Sequence, residues 1–286
     1  MSKILITGAE GFIGRALVSK LEAKGWQVIP VSYKDGDIAS KETLNKFLSN
    51  DIGYVFHLAG RTYVPHSWSD PITFYQTNVL GTLNVLEFCR AQTIPMTYVS
   101  AYVYGHPCIL PIAENDAIVP SNPYALTKRL AEETCEFYAR MHKLLITIVR
   151  PFNVYGIGQN VNFLIPTILN QTFDLGNEIV VTDLSPKRDY IYLEDLIAAL
   201  MQTLVDPTGY RVYNIGSGSS LSVQAVIDII QQAAGTKKNV ISRNLIRPEE
   251  IIDVIADISR AKIDLGWHPK YSFQDGIAEI ISSGKY

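Results

Sequence analysis

Cysteine is scarce in this chain of 286 residues: Cys89, Cys108 and Cys135 are the only three, and no two stand as C-x-x-C. Neither a zinc ribbon nor a disulfide framework is expected, and buried thiols in a reducing compartment are the simple reading. Long apolar runs are also missing. None approaches the roughly 18 residues of a membrane span, and Ile4-Leu5-Ile6 is too short for a signal segment. Neither sign of charge predominates: 25 basic residues face 28 acidic ones, a net charge of −3. That argues against a nucleic-acid binder that relies on phosphate attraction. No His/Cys/Asp cluster points to a metal, and no Gly/Ser linker, repeat or low-complexity tract divides the chain. A soluble cytoplasmic protein with neither a membrane nor a nucleic acid as partner is expected.

What the chain does have is 47% hydrophobic residues, enough for one large domain or one and a half. Residues 4–7, 28–31, 54–58, 97–100 and 145–149 read as short apolar strands. Between them, apolar spacing predicts helices that stop at Gly25 and that span 41–48, 74–91 and 124–142. Strand and helix in turn imply an α/β fold, a doubly wound parallel sheet covered on both faces. The alternation loosens after Tyr155, where helices near 162–170, 194–204 and 223–233 mix with short strands. The expected division is a first unit over 1–156 and a smaller α/β lobe over 157–286, with part of 188–216 packing back on the sheet.

Gly8-Ala9-Glu10-Gly11-Phe12-Ile13-Gly14 stands between the first strand and the first helix. One glycine allows the tight turn, the next lets main-chain N–H groups approach a phosphate, and the last allows close helix–sheet packing. The helix N-terminus behind them offers N–H donors and partial positive charge. Glycine-rich turns are also common as plain loops. Its place between strand and helix favours a pyrophosphate site made by Gly8, Gly11, Phe12, Ile13 and Gly14.

With this G-x-x-G-x-x-G and Tyr124-Ala125-Leu126-Thr127-Lys128, the chain resembles the extended short-chain dehydrogenase/reductase superfamily. Within it, the chain is similar to the NAD(P)-dependent nucleotide-sugar epimerases, dehydratases and 4-ketoreductases. The same resemblance is carried by His57-Leu58-Ala59-Gly60, Asn78-Val79-Leu80-Gly81-Thr82, Val103-Tyr104-Gly105 and Arg150-Pro151-Phe152-Asn153-Val154-Tyr155-Gly156. It continues through Arg188-Asp189-Tyr190-Ile191 with Asp195, Tyr213-Asn214-Ile215-Gly216, Ala256-Asp257 and Leu265-Gly266-Trp267. It implies a Rossmann-type sheet over 1–156 that binds NADP or NAD, and a substrate lobe over 157–286 for a nucleoside-diphosphate sugar. It also implies a homodimer, paired through the helices bearing 78–90 and 124–142.

Tyr124 and Lys128 stand four apart and share a helix face. A phenol, with an ordinary pKa of about 10, is a poor base at neutral pH, and a nearby ammonium lowers that value. Such a pair suits proton exchange with a sugar oxygen while a hydride moves. It also occurs on exposed helix surfaces. The resemblance adds Ser100, five residues before Gly105, as the hydroxyl that bonds the reacting oxygen. Its strand end is where open α/β sheets hold ligands. The family's 4,6-dehydratases carry Asp-Glu after this position, but Ala101 and Tyr102 stand here, which argues against that dehydration. Two reactions remain open. The first is reduction of a 4-keto-6-deoxysugar nucleotide by an external hydride. The second is 4-epimerisation with tightly bound NAD. A non-catalytic dinucleotide sensor is a remote third, since it has no need for Ser100, Tyr124 and Lys128 together.

The resemblance also distributes the remaining contacts. Ser32 ends the second strand, where NAD-retaining members have Asp, and with Lys34 it suits a 2′-phosphate. Asp37 and Ile38 are implied at the adenine edge. Leu58, Ala59, Gly60, Asn78 and Pro151 join Tyr124 and Lys128 around the dinucleotide. Substrate contacts fall on Ser100, Tyr102, Asn153, Phe163, Arg188 and Arg247, with the two arginines near the diphosphate. Residues 64–68, Val-Pro-His-Ser-Trp, are expected as a loop at the pocket mouth.

Overall fold

The apolar runs of the first half become neighbours in one sheet. The computed structural model describes residues 2–205, 207–245 and 250–285. Its first half runs β1 (Lys3–Thr7), α1 (Phe12–Ala23), β2 (Val28–Val31), α2 (Glu42–Asn45), β3 (Ile52–His57), α3 (Val64–Ser69), α4 (Pro71–Phe74), a π-helical stretch (Tyr75–Leu80), α5 (Gly81–Gln92), β4 (Met96–Val99), α6 (Pro123–His142) and β5 (Ile146–Pro151). The second half adds β6 (Asn153–Tyr155), α7 (Leu164–Phe173), β7 (Glu178–Val181), β8 (Lys187–Arg188), β9 (Tyr190–Tyr192), α8 (Leu193–Gln202), β10 (Tyr210–Ile215), β11 (Leu221–Ser222), α9 (Val223–Ala234), β12 (Asn239–Ser242), α10 (Ser259–Leu265) and α11 (Phe273–Ser283).

Six strands pair in the order β10-β5-β4-β3-β1-β2, and every pairing is parallel. All of β4 and β5 is buried, as a sheet covered on both faces requires. α1 and α8 close one face around Leu17, Leu21, Leu196 and Leu200. α5 and α6 close the other around Val85, Leu86, Ala131 and Cys135. This is the doubly wound sheet that the alternation predicts. A separate core gathers α7, α9 and α11 around Ile168, Ile227 and Ile277, with β7 and β12 as a parallel pair beside it.

Register brings the carboxyl ends of the strands to one edge. Thr7 pairs with Val31 and with His57, His57 with Tyr98, and Val99 with Val149. The residues that follow these strand ends, Gly8, Ser32, Leu58 and Ser100, leave the sheet together. The strand order reverses between β1 and β3, and open α/β sheets bind ligands at such a switch point.

Three local expectations are corrected. Segment 41–48 forms only the short α2, in which Thr43 and Leu44 are buried, while Phe47 beyond its end is half-buried against the same core. Segment 74–91 is not one α-helix: the π-helical stretch precedes α5 and carries the buried Asn78 in its middle. Segment 64–68 is helical in α3, with Pro65 in the first turn, where a missing N–H is no loss. Among the described residues no helix is long and apolar enough to cross a membrane.

Candidate active site

The turn after β1 depends on what its glycines lack. A Cβ on Gly8 would lie 2.7 Å from Ala59 N, and one on Gly14 2.1 Å from Gly8 O. Gly8 also has φ of +71°, a conformation that costs glycine little. α1 then opens at Gly11 without a side-chain cap or an acidic residue in its first turn. Its leading N–H groups are left for an anion.

Polar groups fix this turn from below. Thr7 Oγ1 accepts the Ala59 N–H at 3.2 Å and meets His57 Nδ1 at 2.7 Å. His57 Nε2 lies 3.0 Å from Thr82 Oγ1, which itself donates to Asn78 O at 2.6 Å. With the Thr82 proton on Asn78, His57 donates from Nε2 and accepts at Nδ1. The imidazole is neutral, pushed down to about 3 by burial and, second, by the Lys128 charge. The Asn78 amide bonds the main-chain N–H and O of Arg61 at 2.8 and 3.1 Å and Thr127 Oγ1 at 3.0 Å. Its side chain thus holds the loop after β3 against α6.

Asn122 caps α6 by accepting the Ala125 N–H, which starts the helix just before Tyr124. Lys128 is buried. Its Nζ donates to Val99 O at 2.9 Å and stands 4.7 Å above the Tyr98 ring. Burial lowers its pKa to about 8, against the pull of Glu132 and Cys135. The next residue after Val99, Ser100, has a buried hydroxyl with no protein partner among the described residues. Buried hydroxyls ordinarily have one. Tyr124 is half-buried and edge-on to Phe74, 6.4 Å between ring centres. Burial holds its phenol well above the ordinary value. The lowering expected from Lys128 is not found: its ammonium bonds Val99 O, and desolvation of the phenolate alone sets the direction. A side chain on Gly60 would come within 3.2 Å of Asn78 Oδ1 and 3.3 Å of Lys128 Nζ, so this loop and α6 meet closely.

At the end of β2, the Ser32 N–H and hydroxyl both bond Asp35 Oδ2, at 2.8 and 3.3 Å. Lys34 pairs with Glu10 of the glycine turn, Nζ to Oε1 2.5 Å. Asp37 Oδ1 accepts the Ala39 N–H at 2.9 Å, and Ile38 is buried with its Cγ2 against Gly81. A cleft of about 340 Å³ lies alongside, lined by Glu10, Arg15, Ser19, Glu22 and Ser32 among others.

On the substrate side, the Tyr102 hydroxyl donates to Gly105 O while its ring packs on Tyr104 and Phe152. Pro151 is buried at the end of β5. Asn153 Nδ2 donates to Asp189 O at 3.1 Å. Phe163 is edge-on to Tyr63 at 6.4 Å, which brings the start of α7 to the start of α3. Arg188 is engaged by Glu250 and by Ile251 O at 2.6 Å. Arg247 lies outside the described residues. No group of metal-ligating side chains occurs among the described residues.

Residues 4–216 match the model of the NAD dependent epimerase/dehydratase family. The chain belongs to this family. It is 30% identical to a putative UDP-glucose 4-epimerase of Methanocaldococcus jannaschii, over 98% of this chain and 97% of that protein. It is 29% identical to a GDP-6-deoxy-D-mannose reductase of Pseudomonas aeruginosa, over 98% and 96%. The structure of RMD from Pseudomonas aeruginosa complexed with NADPH matches with a TM-score of 0.92 and 28% identity, over 100% of this chain and 99% of that one. This member of the epimerase/dehydratase family is an NAD(P)-dependent enzyme. The glycine cradle, the uncapped start of α1 and the unpartnered Ser100 hydroxyl all fit a bound dinucleotide and substrate.

Sequence reasoning gave Glu10 and Arg15 no role in the site and named Asp189 only as part of Arg188-Asp189-Tyr190-Ile191. Asp189 is buried and accepts N–H bonds from Ser217, Gly218 and Ala256 at 2.6, 3.0 and 3.0 Å. It ties the segment after β8 to the end of β10, which no local pattern reveals. Glu10 and Arg15 line the cleft beside Ser32, although both stand in or next to the glycine turn.

Proposed function

We propose that the chain is a ketoreductase that converts a nucleoside-diphospho-4-keto-6-deoxysugar to its hydroxy form, with NADPH or NADH as hydride source. The observation that carries this reading is the unpartnered Ser100 hydroxyl just past the end of β4, where Lys128, one turn on from Tyr124 in α6, is fastened to Val99 O at 2.9 Å. Reduction of a carbonyl needs a proton donor at the oxygen, and a phenol, with an ordinary pKa of about 10, is in the donor form at neutral pH. A bound nicotinamide would supply the hydride. Ser100 would donate a hydrogen bond to the carbonyl oxygen, and Tyr124 would deliver its proton there. Lys128 would hold positive charge beside them and reach a ribose hydroxyl. Ala101 and Tyr102 offer no acid–base pair for dehydration.

Around this centre, Gly8, Gly11, Phe12, Ile13 and Gly14 would cradle the pyrophosphate, with Leu58, Ala59, Gly60 and Pro151 as the wall. Asn78 acts by positioning that wall. Asn153, Phe163 and Arg188 would receive the nucleotide, Arg188 exchanging Glu250 for phosphate oxygens. We assign 1–156 to the dinucleotide and 157–286 to the substrate, with β10 paired to β5 as the part that returns to the sheet. The free cysteines fit a cytoplasmic setting. Leu80, Leu126, Phe137 and Met141 are exposed large apolar side chains around the helices expected to pair, which supports a two-fold homodimer.

A second reading, 4-epimerisation with retained NAD, draws on Asp35. Its carboxylate reaches the end of β2 from three residues on, where such a group suits ribose hydroxyls. The reductase and the epimerase among the relatives support one reading each. Mass spectrometry of the small molecules released from the purified protein separates them. A reductase comes without stoichiometric NAD, and an epimerase carries it.

A further inference from the structure

Charge is arranged unusually around the end of β2. Lys34 Nζ lies 2.5 Å from Glu10 Oε1, so a residue of the pyrophosphate turn reaches over to the next strand. Arg15 Nη1 donates to the main-chain O of the same Glu10 at 2.5 Å. Glu10 and Arg15 line the cleft of about 340 Å³ together with Ser19, Glu22 and Ser32. Asp35 is also negative, but its Oδ2 is engaged by the Ser32 N–H and hydroxyl. Glu10 is thus the carboxylate in direct contact with Lys34.

We propose that Glu10 is a resident counter-ion of an adenosine 2′-phosphate site, occupying Lys34 until the phosphate of NADP(H) displaces it and thereby setting the preference between the two dinucleotides. The proposal rests on the dinucleotide-site reading above. A phosphate monoester carries more negative charge than one carboxylate and competes for both Lys34 and Arg15. The exchange is easy, because the Lys34 and Glu10 side chains are 80% and 55% exposed and such a pair is weak. An unphosphorylated ribose has no group to displace Glu10, so its affinity is independent of the pair. While Glu10 remains, its charge opposes the phosphate and tempers the preference for NADP(H).

The test is calorimetric titration of 2′,5′-ADP and of 5′-AMP, with NADPH and NADH as a second pair, into the full chain and its Glu10→Gln, Lys34→Ala and double variants. Glu10 is exposed, so these variants keep the fold. Glu10→Gln is expected to tighten 2′,5′-ADP and NADPH about threefold to tenfold relative to AMP and NADH. That gain should shrink in the Lys34→Ala background, where Glu10 has no lysine to occupy and only its direct repulsion of the phosphate is relieved. An unchanged or lower ratio in Glu10→Gln overturns the proposal, as does a gain that is undiminished in Lys34→Ala. Wild-type protein that binds none of the four ligands overturns the dinucleotide-site reading itself, and the proposal with it.

Discussion

Lys128 Nζ stands 2.9 Å from the main-chain oxygen of Val99, the residue directly before the unpartnered hydroxyl of Ser100. The helix that carries Tyr124 is thereby fastened to the strand that carries Ser100. The ammonium is not spent on the phenol, which stays protonated. In the proposed reduction, the phenol that would donate the proton and the hydroxyl that would bond the carbonyl stand on these two fastened elements.

Removal of the phenol separates chemistry from binding. Tyr124→Phe is expected to cut turnover by at least ~10²-fold, the usual contribution of a positioned acid, while titrated dinucleotide affinity stays near wild type. Lys128→Ala should weaken both. Near-normal turnover in Tyr124→Phe removes that residue from the mechanism.

The buried ammonium carries a pH signature. Lys128 has a folded pKa of about 8 against an ordinary 10.5. Between those values the unfolded chain keeps the proton and the folded chain loses it, so this residue makes stability rise with pH in that window. Below pH 8 both states are charged and the burial penalty, on the order of 3 kcal/mol, is fully present. Lys128→Met is expected to melt higher than wild type at pH 7, with an advantage that shrinks as the pH approaches 10.5. Paired thermal melts across that range check it, and an advantage that grows with pH contradicts it.

At the other end of the cofactor, Ser32→Asp should move binding preference toward NADH, because a second carboxylate beside Asp35 repels a 2′-phosphate and suits ribose hydroxyls. Competitive titration of NADPH and NADH reads the ratio. A preference unmoved by Ser32→Asp would place the adenosine ribose away from the end of β2.

Legibility from sequence followed burial. β1, β3, β4 and β5 read as mostly apolar runs because both faces of each strand are covered, even where Thr97, Thr147 and Arg150 interrupt them. β7 and β12 alternate or stay half-exposed over four residues each, too little for a pattern to emerge. Pro65 makes 64–68 read as loop, although it stands in the first turn of α3. The glycine turn and the Tyr124–Lys128 pair declare themselves by spacing. Ser100 is marked by its strand end and by the family's spacing to Gly105, whereas its missing partner is a fact of three dimensions. Lys34 was readable as a cation, but its contact with Glu10 joins residues 24 positions apart. Asp189 binds main-chain groups as far away as Ala256, and no window of sequence contains both.

Assembly has its own test. Phe137 is exposed and lines a surface cleft with Val79, Leu130, Glu133 and Thr134. Wild type is expected to sediment as a dimer at micromolar concentration, and Phe137→Glu as a monomer, since a buried unpaired carboxylate opposes the apolar contact. A wild-type monomer contradicts the pairing.

The central claim is net reduction. The direct measurement is the stoichiometry of nicotinamide absorbance loss against sugar product, with purified protein, NADPH and a panel of nucleoside-diphospho-4-keto-6-deoxysugars. The account predicts one NADPH oxidised per hydroxy sugar formed, with turnover abolished in Tyr124→Phe. Interconversion of two epimeric nucleotide sugars without net consumption of added cofactor would contradict it.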